Sequence, residues 1–200
     1  MTLLLNKNWT PGSARNHTWV AMDKNGYLGL MLNNGYGWLP KILLEIPNIK
    51  ESLGDLCEFI DGDSNIYTNS IDKRNSYSID LYSSWVYKKY KDKQAIISDL
   101  DDRLKRGDKY CDALIGSKMG MFFFQGLEGY SEGEDYPVGY QGETKMGDYF
   151  RFIVPTGFAT INDIPESLRQ YIVISDVIDF TKDRLLVNDR ISEYFTRMYK

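Results

Sequence analysis

The stretch HTWVAMDKNGYLGLMLN, residues 17–33, places two apolar segments on either side of Asp23-Lys24-Asn25-Gly26. Asn and Gly both tolerate positive φ angles, so an Asn-Gly pair between apolar segments is the strongest short signal for a β-hairpin. The sequence therefore predicts two antiparallel strands here. The turn NNGYG at 33–37 comes next, and the following WLPKILLEI is predicted as an edge strand or the start of a strand because it contains Pro40.

Helical and strand patterns follow one another irregularly in the rest of the chain. Apolar residues recur at helical spacing over 49–60, 95–104 and 188–200, which predicts three helices, the first ending at Asp61-Gly62 and the second at Gly107. A shorter helix is predicted to begin at Pro165. Strands are predicted for SYSIDLY (76–82), MGMFFFQ (119–125), YFRFIVP (149–155) and Val173-Ile174.

These elements predict a fold class. Strands and helices do not alternate regularly enough for a doubly wound parallel sheet, and no linker or repeat divides the 200 residues. A chain of this length can bury roughly 70% of its unfolded surface in one core. We therefore expect a single α+β domain over 1–200, with a mainly antiparallel β-sheet and three or four packed helices.

Composition excludes several classes of function. The formal charge of −4 and the pI of about 5.1 leave no broad basic face for nucleic acid. The start MTLLLNKNW lacks the apolar run of a signal peptide, and no stretch approaches the ~20 apolar residues of a membrane span. We expect a cytoplasmic protein without a membrane partner. Cys57 and Cys111 lack CxxC pairing, which favours buried or half-buried thiols over a disulfide framework.

No complete catalytic, metal-binding or nucleotide-binding motif is present in the sequence. His17 is the single histidine, so any site that needs two imidazoles is excluded. Neither GxxxxGK[ST] nor GxGxxG at a strand-to-helix junction occurs. DGDSN at 61–65 resembles a calcium loop, but its register lacks Gly at position six and Glu at position twelve. We expect no cofactor, no metal and no enzymatic activity.

Residues 126–148, GLEGYSEGEDYPVGYQGETKMGD, form the most unusual segment of the chain, and we call them the acidic loop. Six acids are opposed by Lys145 alone, and six glycines and three tyrosines lie between them. Loops beyond ~12–15 residues inside a domain are usually functional or disordered, and tyrosines favour function. We expect a presented loop that binds a basic protein through Glu128, Tyr130, Glu132, Glu134, Asp135, Tyr136, Tyr140 and Glu143.

The first hairpin also resembles a known class of proteins. Residues 19–40 contain Trp19, Asp23-x-x-Gly26 and Gly35-x-Gly37-x-x-Pro40. This pattern is similar to a hairpin near the start of several cytoplasmic immunity proteins from bacterial polymorphic-toxin and contact-dependent growth inhibition systems. The resemblance implies a protein that binds and neutralises a cognate toxin, frequently a nuclease.

Charge supports this interpretation, and two other interpretations stay open. The acids of the loop could mimic the phosphates that a basic nuclease cleft binds, while the tyrosines fill apolar niches. The first alternative is a small carboxylate-dependent hydrolase or carbohydrate-binding enzyme, because a pair of carboxylates can act as acid and as nucleophile or base. The second alternative is a phage or structural assembly protein. Oligomeric state is left undetermined by the sequence.

Overall fold

The computed structural model describes residues 5–12, 15–68, 76–107 and 112–200, with the side chain of residue 112 left out. Within them the strands are β1 (Thr18–Met22), β2 (Leu28–Leu32), β3 (Tyr77–Ile79), β4 (Tyr82–Ser83), β5 (Phe122–Gly126), β6 (Pro137–Val138), β7 (Tyr149–Pro155), β8 (Val173–Ile174), β9 (Leu185–Leu186) and β10 (Arg197–Met198). The helices are α1 (Lys41–Leu44), α2 (Ile49–Asp61), α3 (Lys93–Lys105), α4 (Asp112–Lys118), α5 (Glu166–Arg169) and α6 (Ile191–Tyr194).

Most strands belong to one large mixed sheet, with the order β10-β8-β1-β2-β5-β7-β3 and with β9 paired to β7. The predicted hairpin is present, and Val20 pairs with Leu30 across it. Among the described residues, the pairs β1–β8 and β2–β5 are parallel and the other pairs are antiparallel. The sheet is therefore less uniformly antiparallel than the sequence predicted, and the fold is consistent with the α+β class.

Both faces of the central strands are covered. On one face, Gly116 of α4 lies so close to β2 that an added Cβ would be 3.0 Å from Leu30 Cδ2. On the other face, an added Cβ at Gly29 would be 2.8 Å from the ring of Phe180. Phe122 and Phe124 of β5 also contact this ring, with centroid distances of 5.8 and 5.1 Å. Burial on both faces explains why these strands are almost continuously apolar.

At two places the structure has a different type of element from the one predicted. Residues after Pro40 form the helix α1 instead of a strand, because proline also fits the position before a first helical turn. The predicted helix at 188–200 is a 3-10 turn at 188–190, the short α6 and then β10. Here pairing of Arg197 with Ile174 at the sheet edge replaces the helix that the local apolar spacing favours.

The residues that carry the family resemblance hold the hairpin in place. Asp23 is buried, and its carboxylate accepts hydrogen bonds from the backbone N–H groups of Tyr27 and Phe180, both at 2.9 Å. Gly37 lies against the buried Tyr149, where an added Cβ would be 2.6 Å from the ring. The Tyr149 hydroxyl donates to the Trp38 carbonyl at 3.0 Å. These positions therefore support the architecture of the sheet.

An ion-pair network joins the loop after β3 to β7 and to the loop before β9. Asp80 accepts hydrogen bonds from the guanidinium groups of Arg151, at 2.7 Å, and of Arg184, also at 2.7 Å. Arg151 is buried and also donates to the Phe180 carbonyl at 2.6 Å. Burial alone would raise the pKa of Asp80, but hydrogen bonds from Arg184 and Arg151 outweigh it and hold the pKa below its ordinary value.

Candidate partner-binding surface

The acidic loop, residues 126–148, is docked against the rest of the protein. Its strand β6 pairs with β4, so that Val138 lies opposite Tyr82 and Pro137 opposite Ser83. Next to this ladder, the Ser84 N–H donates to the Tyr136 carbonyl, and the Tyr136 N–H donates to Ser84 Oγ, both at 3.0 Å. The loop therefore has defined contacts with the rest of the protein.

Asp135 is the main internal anchor of the loop. Its side chain is 5% exposed. One carboxylate oxygen accepts hydrogen bonds from Ser83 Oγ at 2.8 Å, from Ser84 Oγ at 3.2 Å and from the Trp85 N–H at 3.2 Å. The other oxygen accepts from the Glu128 N–H at 3.3 Å. The expectation that Asp135 projects toward a partner is therefore wrong in geometry, because its carboxylate is buried beneath the loop.

Other acids of the loop also accept backbone hydrogen bonds. Asp148 is buried and accepts from the N–H groups of Asn188 at 2.7 Å and Lys145 at 2.8 Å. Glu134 accepts from the Tyr130 and Ser131 N–H groups, and Glu132 accepts from the Met146 N–H at 2.9 Å. Carboxylates thus satisfy donors that a glycine-rich backbone would otherwise leave to water.

The remaining predicted residues divide by exposure. Tyr130 is 89% exposed and Tyr136 is 56% exposed. Glu132 and Glu143 are exposed, while Glu128, Glu134 and Tyr140 are half-buried. Within the described part of the chain, none of these acids forms an ion pair with a lysine or arginine. The charges of the exposed Glu132 and Glu143 are therefore open to an external cation.

Sequence reasoning missed a second segment at this surface, residues 85–91. Trp85 meets Tyr130 edge to face, with a centroid distance of 5.8 Å, and Val86 is 38% exposed. The ammonium group of Lys88 lies 4.7 Å from the centroid of the Trp85 ring. We call Trp85, Val86, Tyr130 and Tyr136 the aromatic patch. The run WVYKKYK was a visible signal, because it places apolar and cationic residues together immediately after a predicted strand.

Glu128 is half-buried near Asp135, in an environment that disfavours its charge. Burial, and then the negative charge of Asp135, raise the pKa of the Glu128 carboxyl above its ordinary value. A raised pKa beside a second carboxylate is the arrangement that a general acid needs. Asp135, however, accepts four hydrogen bonds and is buried, as expected for a structural carboxylate. The pair therefore lacks an accessible second carboxylate for hydrolysis.

A shallow cleft lies beside the loop, lined in part by Glu132, Glu143, Lys145 and Asp189. Its volume is about 560 Å³. Across the described residues, no three His, Cys, Asp or Glu side chains converge on a common point that could hold a metal ion. The cleft thus extends the acidic surface of the loop.

Cys57 and His17 are not among the residues that form this surface. Cys57 on α2 is half-buried, as the sequence predicted, and Cys111 lies outside the described residues. His17 packs its ring edge to face against Trp9 at 5.7 Å. Burial, and then the nearby charges of Lys50 and Arg15, lower the pKa of His17 below its ordinary value. Asp72, which stands at position twelve when the calcium-loop pattern is counted from Asp61, also lies outside the described residues.

Comparisons of this chain with protein-family models, with curated proteins and with solved structures found no match. None of the helices in the described residues combines the length and the apolar character needed to cross a membrane.

Proposed function

We propose that this protein is a cytoplasmic immunity protein, a single α+β domain that binds a cognate bacterial toxin and neutralises it. In this proposal the toxin presents a basic surface, as a nuclease does, and the acidic loop covers that surface. The resemblance of residues 19–40 supplies the class of protein, and the loop supplies the binding surface.

The observation that carries the proposal is that internal hydrogen bonds hold the acidic loop, while the acids on its outer side form no ion pair within the described residues. Asp135 and Asp148 hold its backbone by hydrogen bonds, and β6 pairs with β4. Glu132, Glu143, Tyr130 and Tyr136 lie on the exposed side. Binding through such a surface loses little conformational entropy, because the loop is organised before the partner arrives.

Charge on the loop would act mainly on the rate of encounter. Exposed acids attract a basic partner over distances of about one Debye length, ~8–10 Å at physiological salt. Such steering raises the association rate and makes it fall as salt increases. The protein would then inhibit the toxin by occupying the region that otherwise binds phosphate.

A co-expression experiment tests this function. The product of the gene next to this one is expressed in bacteria with and without this protein, and growth is measured. We expect growth arrest without the protein, rescue with it, and a stable complex of the two purified proteins. Continued arrest together with no complex would refute the proposal, and the neighbouring genes would then decide between an enzyme and an assembly protein.

Charge reversal tests the role assigned to the loop. Glu132→Lys with Glu143→Lys changes the charge of the exposed side by +4, and we expect association to slow about tenfold at low salt. Glu51→Lys with Asp55→Lys makes the same charge change on the exposed face of α2 and is the matched control. Equal association rates for the two double variants would show that the loop does not steer the partner.

A further inference from the structure

The aromatic patch, Trp85, Val86, Tyr130 and Tyr136, is built so that two distant segments meet. Asp135 receives hydrogen bonds from the Trp85 N–H and the Glu128 N–H, and so fixes the backbone on both sides of the patch. Ser84 and Tyr136 are joined by one hydrogen bond between their backbones and one from the Tyr136 N–H to Ser84 Oγ. Tyr130 is 89% exposed, and its ring contacts the ring of Trp85, whose backbone Asp135 holds. The Tyr130 ring is therefore a restrained apolar projection.

Both segments that form the patch carry charged residues. Glu132 and Glu134 follow Tyr130 in the loop, and Glu134 accepts a hydrogen bond from the Tyr130 N–H. Lys88, Lys89 and Lys91, all exposed, follow Trp85 and Val86, and we call them the lysine ridge. Lys88 lies over the Trp85 ring and Lys89 over the Tyr90 ring, so two of the three lysines are held near aromatic faces.

We infer that the aromatic patch is the energetic centre of the interface, with Trp85 and Tyr130 as its anchors, and that the acids and lysines orient the partner. The inference rests on the proposed function and adds the chemistry of the partner. That partner is a folded protein with an apolar recess for Tyr130, a basic surface opposite the acidic loop and an acidic surface opposite the lysine ridge.

Physical reasons favour the aromatic pair over the charges as the source of affinity. Trp and Tyr are the residue types most enriched among interface residues whose truncation costs 2 kcal/mol or more. They offer large contact area with few rotatable bonds, and here one ring already restrains the other. Exposed rim charges change association rates and salt dependence more than they change dissociation rates.

The anchors are tested by measuring the association and dissociation rates of the complex with the toxin domain that this protein neutralises in the co-expression assay. We expect Tyr130→Ala and Trp85→Ala each to raise the dissociation rate about 30-fold. Both variants should leave the association rate nearly unchanged. Tyr130→Ala alone keeps the test valid if Trp85→Ala misfolds, because Tyr130 is almost fully exposed. Ile66→Ala is the control, since Ile66 is 80% exposed in the segment after α2.

Reversal of the lysine ridge tests the chemistry of the partner. If the partner is acidic opposite the ridge, Lys88→Glu with Lys91→Glu slows association by about tenfold at low salt. If the partner is basic throughout, the same change speeds association and overturns this part of the inference. Lys7→Glu with Lys50→Glu is the matched control, because both lysines are exposed and line a separate cleft.

The outcomes distinguish this inference from the proposed function. If the wild-type protein binds the toxin domain but Tyr130→Ala changes the dissociation rate less than about threefold, the aromatic patch is not the centre and the immunity function stands. If the wild-type protein neither binds nor rescues, the immunity function fails and the inference fails with it.

Discussion

Replacing Asp135 by Asn should loosen the acidic loop and lower the stability of the protein. Asn has nearly the same size and keeps one carbonyl oxygen, so the change removes charge and one acceptor without leaving a cavity. The carboxylate now satisfies donors from Ser83, Ser84, Trp85 and Glu128. Asp135→Asn therefore isolates the contribution of the anionic acceptor.

The magnitude follows from the geometry of the hydrogen bonds. Three donors bond to Asp135 Oδ1, and only the Glu128 N–H bonds to Oδ2. An Asn side chain at this position keeps most bonds when its oxygen takes the place of Oδ1, and the Glu128 N–H then loses its acceptor. A buried donor left without a partner costs about 1–3 kcal/mol, and bonds to a charged acceptor are worth roughly twice neutral ones. We expect a loss of about 2–4 kcal/mol.

Urea unfolding and amide hydrogen exchange measure this loss. A loss of about 3 kcal/mol lowers the urea midpoint by about 1 M for an m-value near 3 kcal/mol/M. If the loop opens locally before the core unfolds, the amides of Trp85 and Glu128 exchange about a hundredfold faster instead. Both amides donate to Asp135, so they report directly on the anchor.

Glu128→Gln is the matched control, because it makes the same chemical change on the neighbouring acid. Burial and the charge of Asp135 raise the pKa of Glu128, so ionised Glu128 costs folding free energy at neutral pH, and this cost disappears as the pH falls through the raised value. We expect Glu128→Gln to retain or slightly increase stability at pH 7. An Asp135→Asn variant with wild-type midpoint and wild-type exchange would refute the anchoring role.

Three further changes test the fold. Asp80→Asn should lower the unfolding free energy by about 3–5 kcal/mol at pH 7, because it leaves two arginines without their carboxylate. The pKa of Asp80 is lowered in the folded state, so the Asp80 carboxylate stops stabilising the fold as it is protonated in acid. The difference from wild type in thermal unfolding should therefore shrink as the pH falls below about 4. Gly37→Ala should cost about 1–3 kcal/mol in urea unfolding through overlap with Tyr149, whereas Gly54→Ala, at a helical glycine whose Cβ meets open space, should be neutral or stabilising. Asp23→Ala should lower the unfolding free energy by about 2–3 kcal/mol, because the buried N–H groups of Tyr27 and Phe180 lose their acceptor.

Local sequence patterns were sufficient where local interactions decide the structure. The Asn-Gly turn predicted the first hairpin, and apolar spacing predicted α2 and α3. Spacing says nothing of polar contacts: Asn48, before α2, makes no side-chain capping bond and has a left-handed backbone, and α3 contains an ion pair of Arg103 with Asp99. Periodicity thus located the helices without fixing their polar contacts.

Long-range contacts decided the features that the sequence could not supply. The predicted strand at 76–82 is divided into β3, which pairs with β7, and β4, which pairs with β6 of the acidic loop. The burial of Asp135 depends on Ser83, which is 52 residues away in the chain. An acidic residue in a polar loop carries no local sign of such a partner, so exposure was the natural expectation and proved wrong for this residue.

Parallel pairing of the early strands has a consequence for synthesis of the chain. Ala21 of β1 must find Val173, and Leu30 of β2 must find Phe123, so both edges of the first hairpin wait for residues made about 90 to 150 positions later. At ~5–20 residues per second, ribosomes take on the order of ten seconds to supply them. During that interval the hairpin is an apolar ribbon with two unpaired edges, which is the kind of surface that favours association with other nascent chains.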